Sequence, residues 1–238
     1  MNQVSSKSNS ISDRLTKCFS SVIHDVMRDA GFKNFVLDPS IKALKPEHKI
    51  GGQVFTIQGS ANTSYSHHET LLAWTGMLSK ASSDKILICQ PNDNIAAFMG
   101  ELSAEYLLKK NIRGYIADGG CRDVEFINNI NFPVWSKFNT PKDVVGYWKP
   151  DVLEEQITIG DVIINNNDYV MADIDGVVII PQPNILDILE KSELLINTES
   201  KVRKSIREGM DPQEAYIKYS ACLLYTISEP TRRRGISY

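Results

Sequence analysis

Gly114-Tyr115-Ile116-Ala117-Asp118-Gly119-Gly120-Cys121-Arg122-Asp123 is the stretch whose reading decides the fold. A short apolar run suited to a buried strand ends in Asp-Gly-Gly, and a guanidinium and a carboxylate follow directly. A strand turning into a helix has this form. Glycines let the backbone take positive φ and let a ligand approach closely, while a helix start presents unpaired N–H groups that favour an anion. Taken alone, the residues Asp118 to Asp123 better suit an ordinary turn carrying a surface ion pair. The neighbouring segments decide between the two.

Upstream, Lys85 to Cys89 reads as a buried strand, the loop Pro91-Asn92-Asp93-Asn94 follows, and helical spacing returns from Glu101 to Lys110. Downstream, a short helix ending near Asn129 leads to a strand over Pro133 to Phe138. Gln53 to Ile57 and Glu69 to Lys80 supply an earlier strand and helix, so these are consecutive βαβ units. Leu15, Phe19, Val22, Ile23, Val26 and Ala30 recur at helical spacing, predicting one amphipathic first helix ended by Gly31 in a left-handed cap. Gln156 to Ile159, Asp161 to Ile164, Tyr169 to Ala172 and Val177 to Ile180 predict a β-meander. A long helical stretch from Pro183 to about Gly209 and a short helix over Ala215 to Leu224 complete the chain. The expected organisation is one domain, 1–238, with a core of about 11–182, a helical extension of about 183–226 and a tail of 227–238.

The 238 residues are 42% hydrophobic and 23% charged, which is enough for a sizeable core. A formal net charge of −3 gives no pull toward nucleic acid or an anionic membrane, although Arg232-Arg233-Arg234 is locally basic. Apolar runs such as Gly176 to Ile180 are too short to span a bilayer, and Met1 to Ser10 lacks the apolar core of a signal peptide, so a cytoplasmic protein is expected. Cys18, Cys89, Cys121 and Cys222 have no paired spacing and read as reduced thiols. Cys121, beside Arg122 at an expected helix start, is a minor candidate nucleophile.

In parallel α/β units, binding groups gather at the carboxyl ends of strands, so the loops after Cys89 and Ala117 are expected to face one crevice. Glu101 and Arg122 are separated by twenty residues, about one helix, one turn and one strand, which returns the chain to the same sheet edge. A site with Glu101, Arg122, Asp123 and Asp118 offers carboxylates to a hard divalent cation and an arginine to a carbonyl or carboxylate oxygen. That chemistry suits stabilisation of an enolate. The same carboxylates also suit a surface network. Lys137, at a strand end, is the rival electrophile, through a Schiff base with a keto acid. Adjacent His67 and His68 point in different directions on a helix and make no metal site by themselves.

Gly100-Glu101-Leu102 followed at that spacing by Arg122-Asp123 resembles the signature of the RraA-like family, which includes divalent-metal-dependent pyruvate aldolases such as 4-hydroxy-4-methyl-2-oxoglutarate aldolase and oxaloacetate decarboxylase relatives. Ile50 to Thr56, Phe132-Pro133-Val134-Trp135, Ile159-Gly160-Asp161-Val162 and Ala172 to Pro181 are similar to the family as well. The resemblance implies an α/β fold, an RraA-like αββα sandwich of the swivelling β/β/α type with flanking N- and C-terminal helices. It also implies a homotrimer or hexamer with active sites between subunits. Asp123 would bind Mg²⁺ or Mn²⁺, Arg122 would contact the carbonyl of a small 2-oxo acid, and Glu101 would hold a water. Backbone N–H groups around Gly100, Leu102 and Ser103 would hold the pyruvyl carboxylate. Glu199 of a neighbouring subunit would support the metal waters. The implied activity is carbon–carbon cleavage through a pyruvate enolate, by retro-aldol reaction or oxaloacetate decarboxylation. The alternative is a non-catalytic regulator, since the founding member binds ribonuclease E. Glu101 replaces the more usual Asp, Glu69-Thr70 stand where many members have Asp-Asn and a substrate-orienting amide, and Ser82-Ser83-Asp84 replaces a Pro-Gly-Asp turn.

Overall fold

The structure, a computed structural model, describes residues 10–227, without the side chains of residues 199–200 and 220–227. The order is α1 (Ile11–Lys17), α2 (Ser20–Asp29), β1 (Lys42–Ala43), β2 (Ile50–Ala61), α3 (His67–Lys80), β3 (Lys85–Gln90), α4 (Glu101–Lys109) and β4 (Gly114–Ala117). Then come β5 (Gly120–Cys121), α5 (Val124–Asn129), β6 (Val134–Ser136), β7 (Phe138–Asn139), β8 (Trp148–Leu153), β9 (Ile157–Ile159), β10 (Val162–Ile164), β11 (Tyr169–Ala172) and β12 (Val177–Ile180). A 3₁₀ turn at Gln182–Asn184 leads into α6 (Ile185–Arg207), and α7 (Pro212–Ile227) follows.

β2, β3, β4 and β6 run parallel at the centre of the main sheet, whose order is β1-β6-β4-β3-β2-β11-β12. The two-residue period of these strands sends alternate side chains to opposite faces. Phe55, Ile57, Leu87, Cys89, Tyr115 and Ala117 bury one face against Trp74, Leu78, Leu107 and Ile127 of the helices α3, α4 and α5. Val54, Ile86, Ile88 and Ile116 bury the other against Ile157, Ile159, Val162 and Ile164 of the β9–β10 hairpin. The expected meander is therefore two hairpins in different layers, with β11–β12 extending the main sheet and β9–β10 forming its own. β8, absent from the sequence reading, pairs antiparallel with the far end of β2.

The first helix is broken in two. Cys18 and Phe19 are extended, and Ser20 begins α2 by giving its N–H and hydroxyl to the buried carboxylate of Asp173, at 2.8 and 2.6 Å. Phe19 at the N-cap supplies no side-chain bond, so Asp173 performs that office from 153 residues away. Gly31 does take the expected positive φ, at 84°. Contacts divide the chain into one unit ending at Leu189 and a second beginning at Glu190. In the second, Ser205 Oγ and Tyr219 Oη share a 3.0 Å hydrogen bond between α6 and α7. Among the described residues no helix is long and apolar enough to cross a membrane.

Candidate active site

Backbone pairing brings the two loops together. Residues 96–99, after β3, run beside 120–122, after β4: Gly120 N–H donates to Ala96 O at 3.2 Å, Phe98 N–H to Gly120 O at 2.8 Å, and Arg122 N–H to Met99 O at 3.0 Å. The ladder sets Gly100, the N-cap of α4, directly over Arg122 and Asp123. The expected short helix is present as α5, ending at Asn129, but it begins only at Val124, because Gly120 and Cys121 form the two-residue strand β5, which pairs with β7. Neither Gly119 nor Gly120 has positive φ. Their need is space, since a Cβ on Gly119 would lie 2.6 Å from the Phe98 ring and one on Gly120 2.6 Å from Ala96 O. Positive φ falls instead on Asp123, at 56°, an αL position that Asp tolerates better than most residues.

That turn aims the Asp123 carboxylate back at α4. Oδ2 accepts from Glu101 N–H at 3.0 Å and from Arg122 Nε at 3.2 Å. The anion at this helix start is the protein's own. The guanidinium of Arg122 is held at its other end by Asp143, Nη1 to Oδ2 at 3.3 Å. Asp143 had no spacing cue in the sequence. It lies on the loop before β8, where its Oδ1 accepts Val145 N–H at 3.2 Å. These residues edge a cleft of about 260 Å³ between α3, the start of α4 and the 143–145 loop. Glu101, Gly100, Leu102 and Ser103 line it together with Arg122 and Asp123. Ser103 is buried, and its Oγ accepts from Trp74 Nε1 at 2.9 Å, so its side chain serves packing.

Other candidates lie elsewhere. Asp118 is ion-paired with Lys137 at 2.5 Å, and neither lines the cleft. Cys121 is buried, and burial pushes its thiol up to about 12, the reverse of an activated nucleophile. Glu69 pairs with Lys149 at 2.8 Å, while Thr70 is buried with its hydroxyl accepting Gly146 N–H at 2.9 Å. Glu199's side chain lies outside the described residues, as does that of Cys222. No group of three or more His, Cys, Asp or Glu that could hold a metal occurs among the described residues.

The loop bearing Asp143 is tied down by Tyr147, whose hydroxyl donates to Asp93 Oδ1 at 2.6 Å. Burial works to raise the Asp93 carboxyl, yet Tyr147 and the N–H groups of Ile95 and Ala96 hold it below the usual range; the Asp93 bond pushes the Tyr147 phenol up to about 12. Tyr147→Phe is expected to cost about 1 kcal/mol, a charge-assisted bond discounted for partial exposure. A depressed carboxyl contributes stability that is present above its unfolded pKa, about 3.9, and lost as pH falls. Thermal melts should therefore show a wild-type advantage from pH 5 to 9 that shrinks below about pH 4. An advantage independent of acid would assign the effect to packing.

The layers and sheet order define an α/β sandwich with a cleft beside the loops that follow β3 and β4. Within that class the chain belongs to the RraA-like family (Aldolase/RraA), whose family model matches residues 20–179, and it has the RraA-like fold. DlpA of Legionella pneumophila is 28% identical over 214 residues, covering 87% of this chain and 33% of DlpA. The chain thus spans about a third of that relative's length. An inferred 4-hydroxy-4-methyl-2-oxoglutarate aldolase of Halalkalibacterium halodurans is 23% identical over 184 residues, 76% of this chain and 83% of that protein. The structure of RraAS2 of Streptomyces coelicolor, an unusual member of the RNase ES inhibitor RraA protein family, matches with a TM-score of 0.74 at 21% identity, covering 82% of this chain and 97% of that one.

Proposed function

We propose that the protein is a divalent-metal-dependent lyase that cleaves a carbon–carbon bond of a small 2-oxo acid through a pyruvate enolate. The observation that carries this reading is the clamped Arg122. Its Nε and Nη1 are committed to Asp123 and Asp143, and Nη2 has no partner among the described residues, which leaves a fixed donor at the edge of the cleft. A preorganised cation of this kind stabilises oxyanion charge without reorganising as the charge develops. The N–H groups of Leu102 and Ser103, in the first turn of α4, suit a pyruvyl carboxylate, because Glu101 N–H is already given to Asp123.

The residues fit Mg²⁺ or Mn²⁺ in a restricted way. Asp123 Oδ2 is occupied, whereas Oδ1 takes no hydrogen bond among the described residues. One carboxylate oxygen suits an ion that keeps several waters and takes further ligands from substrate. Glu101 would hold one of those waters, and Glu199 of a neighbouring subunit in a homotrimer or hexamer would hold another. The ion would supply Lewis acidity at the substrate carbonyl. Glu101 would move a proton to the enolate carbon through its water, and Arg122 would hold the enolate oxygen.

The cytoplasm is the proposed location. A regulator of a ribonuclease would have no need of the clamp. Lys137 is engaged with Asp118, which supports the metal route over a Schiff base. Pyruvate release should be measured over 4-hydroxy-2-oxo acids and oxaloacetate. EDTA is expected to abolish it and Mg²⁺ to restore it. Turnover that survives EDTA, with borohydride trapping pyruvate on Lys137, would overturn the metal reading, and inactivity on every compound would overturn the lyase.

A further inference from the structure

Thr70, near the start of α3, is buried and does not line the cleft, yet its hydroxyl is bonded on both sides. It donates to His67 O at 3.0 Å and accepts Gly146 N–H at 2.9 Å. The donated bond gives the helix little, because a hydroxyl folded back on a carbonyl of its own helix is neutral to slightly unfavourable there. The accepted bond crosses to the loop before β8. Gly146 meets α3 at φ 68°, and a Cβ on it would lie 2.5 Å from the His67 ring, so only bare backbone makes this approach.

The placement of Asp143 depends on that loop. Upstream, Ala97 N–H holds Lys142 O at 2.8 Å, and downstream Thr70 holds Gly146. Only Asp143, Val144 and Val145 lie between these two ties, and Asp143 reaches Arg122 Nη1 at 3.3 Å from within them. The bond from Val145 N–H to Asp143 Oδ1 lies inside the span and cannot anchor it. Burial of Val144 adds a hold, but not a directional one. We infer that Thr70 is a positioning residue for the reaction: its hydroxyl fixes the downstream end of this span, so that Asp143 holds the Arg122 guanidinium in the direction the enolate oxygen needs. The inference rests on the role proposed for Arg122. Without the hydroxyl, the downstream hold passes to the Tyr147 phenol on Asp93, a link through a rotatable side chain.

Thr70→Val keeps the volume and the β-branch and removes the hydroxyl. With Mg²⁺ and the 2-oxo acid that the full chain turns over fastest, kcat should fall about tenfold and KM change less than about twofold, since Arg122 acts on charge that develops in the transition state. The loss is smaller than the ~10² of a 1 Å misplacement, because the upstream tie and Tyr147 remain. Thr70→Ser should restore most of the rate, and Thr70→Ala gives the same reading as valine if valine packs badly. Added to Asp143→Ala, Thr70→Val should lower kcat no further, the signature of a residue that acts through Asp143. No loss in the single variant, or full independent losses in the double one, would overturn the inference. Two NMR readouts need no turnover. Gly146 N–H should be protected from exchange in the wild type and lose that protection in Thr70→Val, and the Arg122 Nε–H resonance, assigned through Arg122→Lys, should shift. A resonance that stays in place would overturn the inference. A shifted resonance in a protein that releases no pyruvate would keep Thr70 as the holder of Arg122 and remove the lyase, whereas pyruvate release indifferent to Thr70→Val would do the reverse.

Discussion

Arg122→Ala is expected to lower kcat/KM for pyruvate release by about 10²–10³-fold, the usual cost of removing one preorganised oxyanion donor. The guanidinium is the single cation among the described residues that line the cleft, and its two ion pairs fix both its position and that of its neighbours. Without it, Asp123 loses one of two donors to Oδ2, and Asp143 is left facing Asp123 with no positive charge between them. Stability should barely change. The Arg122 side chain is 38% exposed, and exposed ion pairs contribute about 0–1 kcal/mol each. Arg122→Lys should recover little activity, because an ammonium cannot reach two carboxylates and an oxyanion in the fixed directions of a planar fork. Steady-state kinetics beside a thermal melt checks this. Full activity in the alanine variant would remove Arg122 from the chemistry, and a collapsed melting temperature would give it a structural role.

Much of this geometry was legible in the sequence, for identifiable reasons. β4, and β3 between its polar ends Lys85 and Gln90, are unbroken apolar runs, and burial on both faces is the physical cause of such runs in parallel sheets. The spacing between Glu101 and Arg122 encoded a helix and a strand, and the chain does come back on itself there, with Glu101 N–H 3.0 Å from Asp123. What stayed hidden depends on long-range partners. β8 carries Pro150 and Asp151 and has no core-facing alternation, because it is a strand only through its pairing with β2. The break after Lys17 depends on Asp173, and nothing local in an amphipathic helix announces a cap from so far along the chain. Asp143 reaches Arg122 on a loop, where no periodicity applies. The glycines at 119 and 120 were visible but misread. Positive φ and lack of room select the same residue type, and only the surroundings tell them apart.

Gly100→Ala tests the second of those reasons where it bears on catalysis. Gly100 has φ −151°, which any residue can adopt, so the backbone itself allows alanine. The obstacle is contact: a Cβ there would lie 2.8 Å from Asp123 Oδ2 and 3.2 Å from both Cγ and Nε of Arg122. Asp123 cannot simply swing aside. Its backbone is held in αL at the start of α5, and the oxygen that would be displaced is the one accepting both Glu101 N–H and Arg122 Nε. One methyl group should therefore break both bonds, misplacing the arginine and the proposed metal carboxylate together. A displacement of about 1 Å in positioning groups costs on the order of 10² in rate. Gly76→Ala supplies the contrast, since a Cβ on that exposed residue of α3 meets nothing within 4 Å. There alanine should stabilise by about 0.5–1 kcal/mol through helix propensity, with turnover unchanged. Kinetics and melts on the pair separate a general intolerance of added bulk from a requirement for close approach at one point. If Gly100→Ala kept wild-type kcat/KM, the clamp would not set the rate, even if Gly76→Ala behaved as expected.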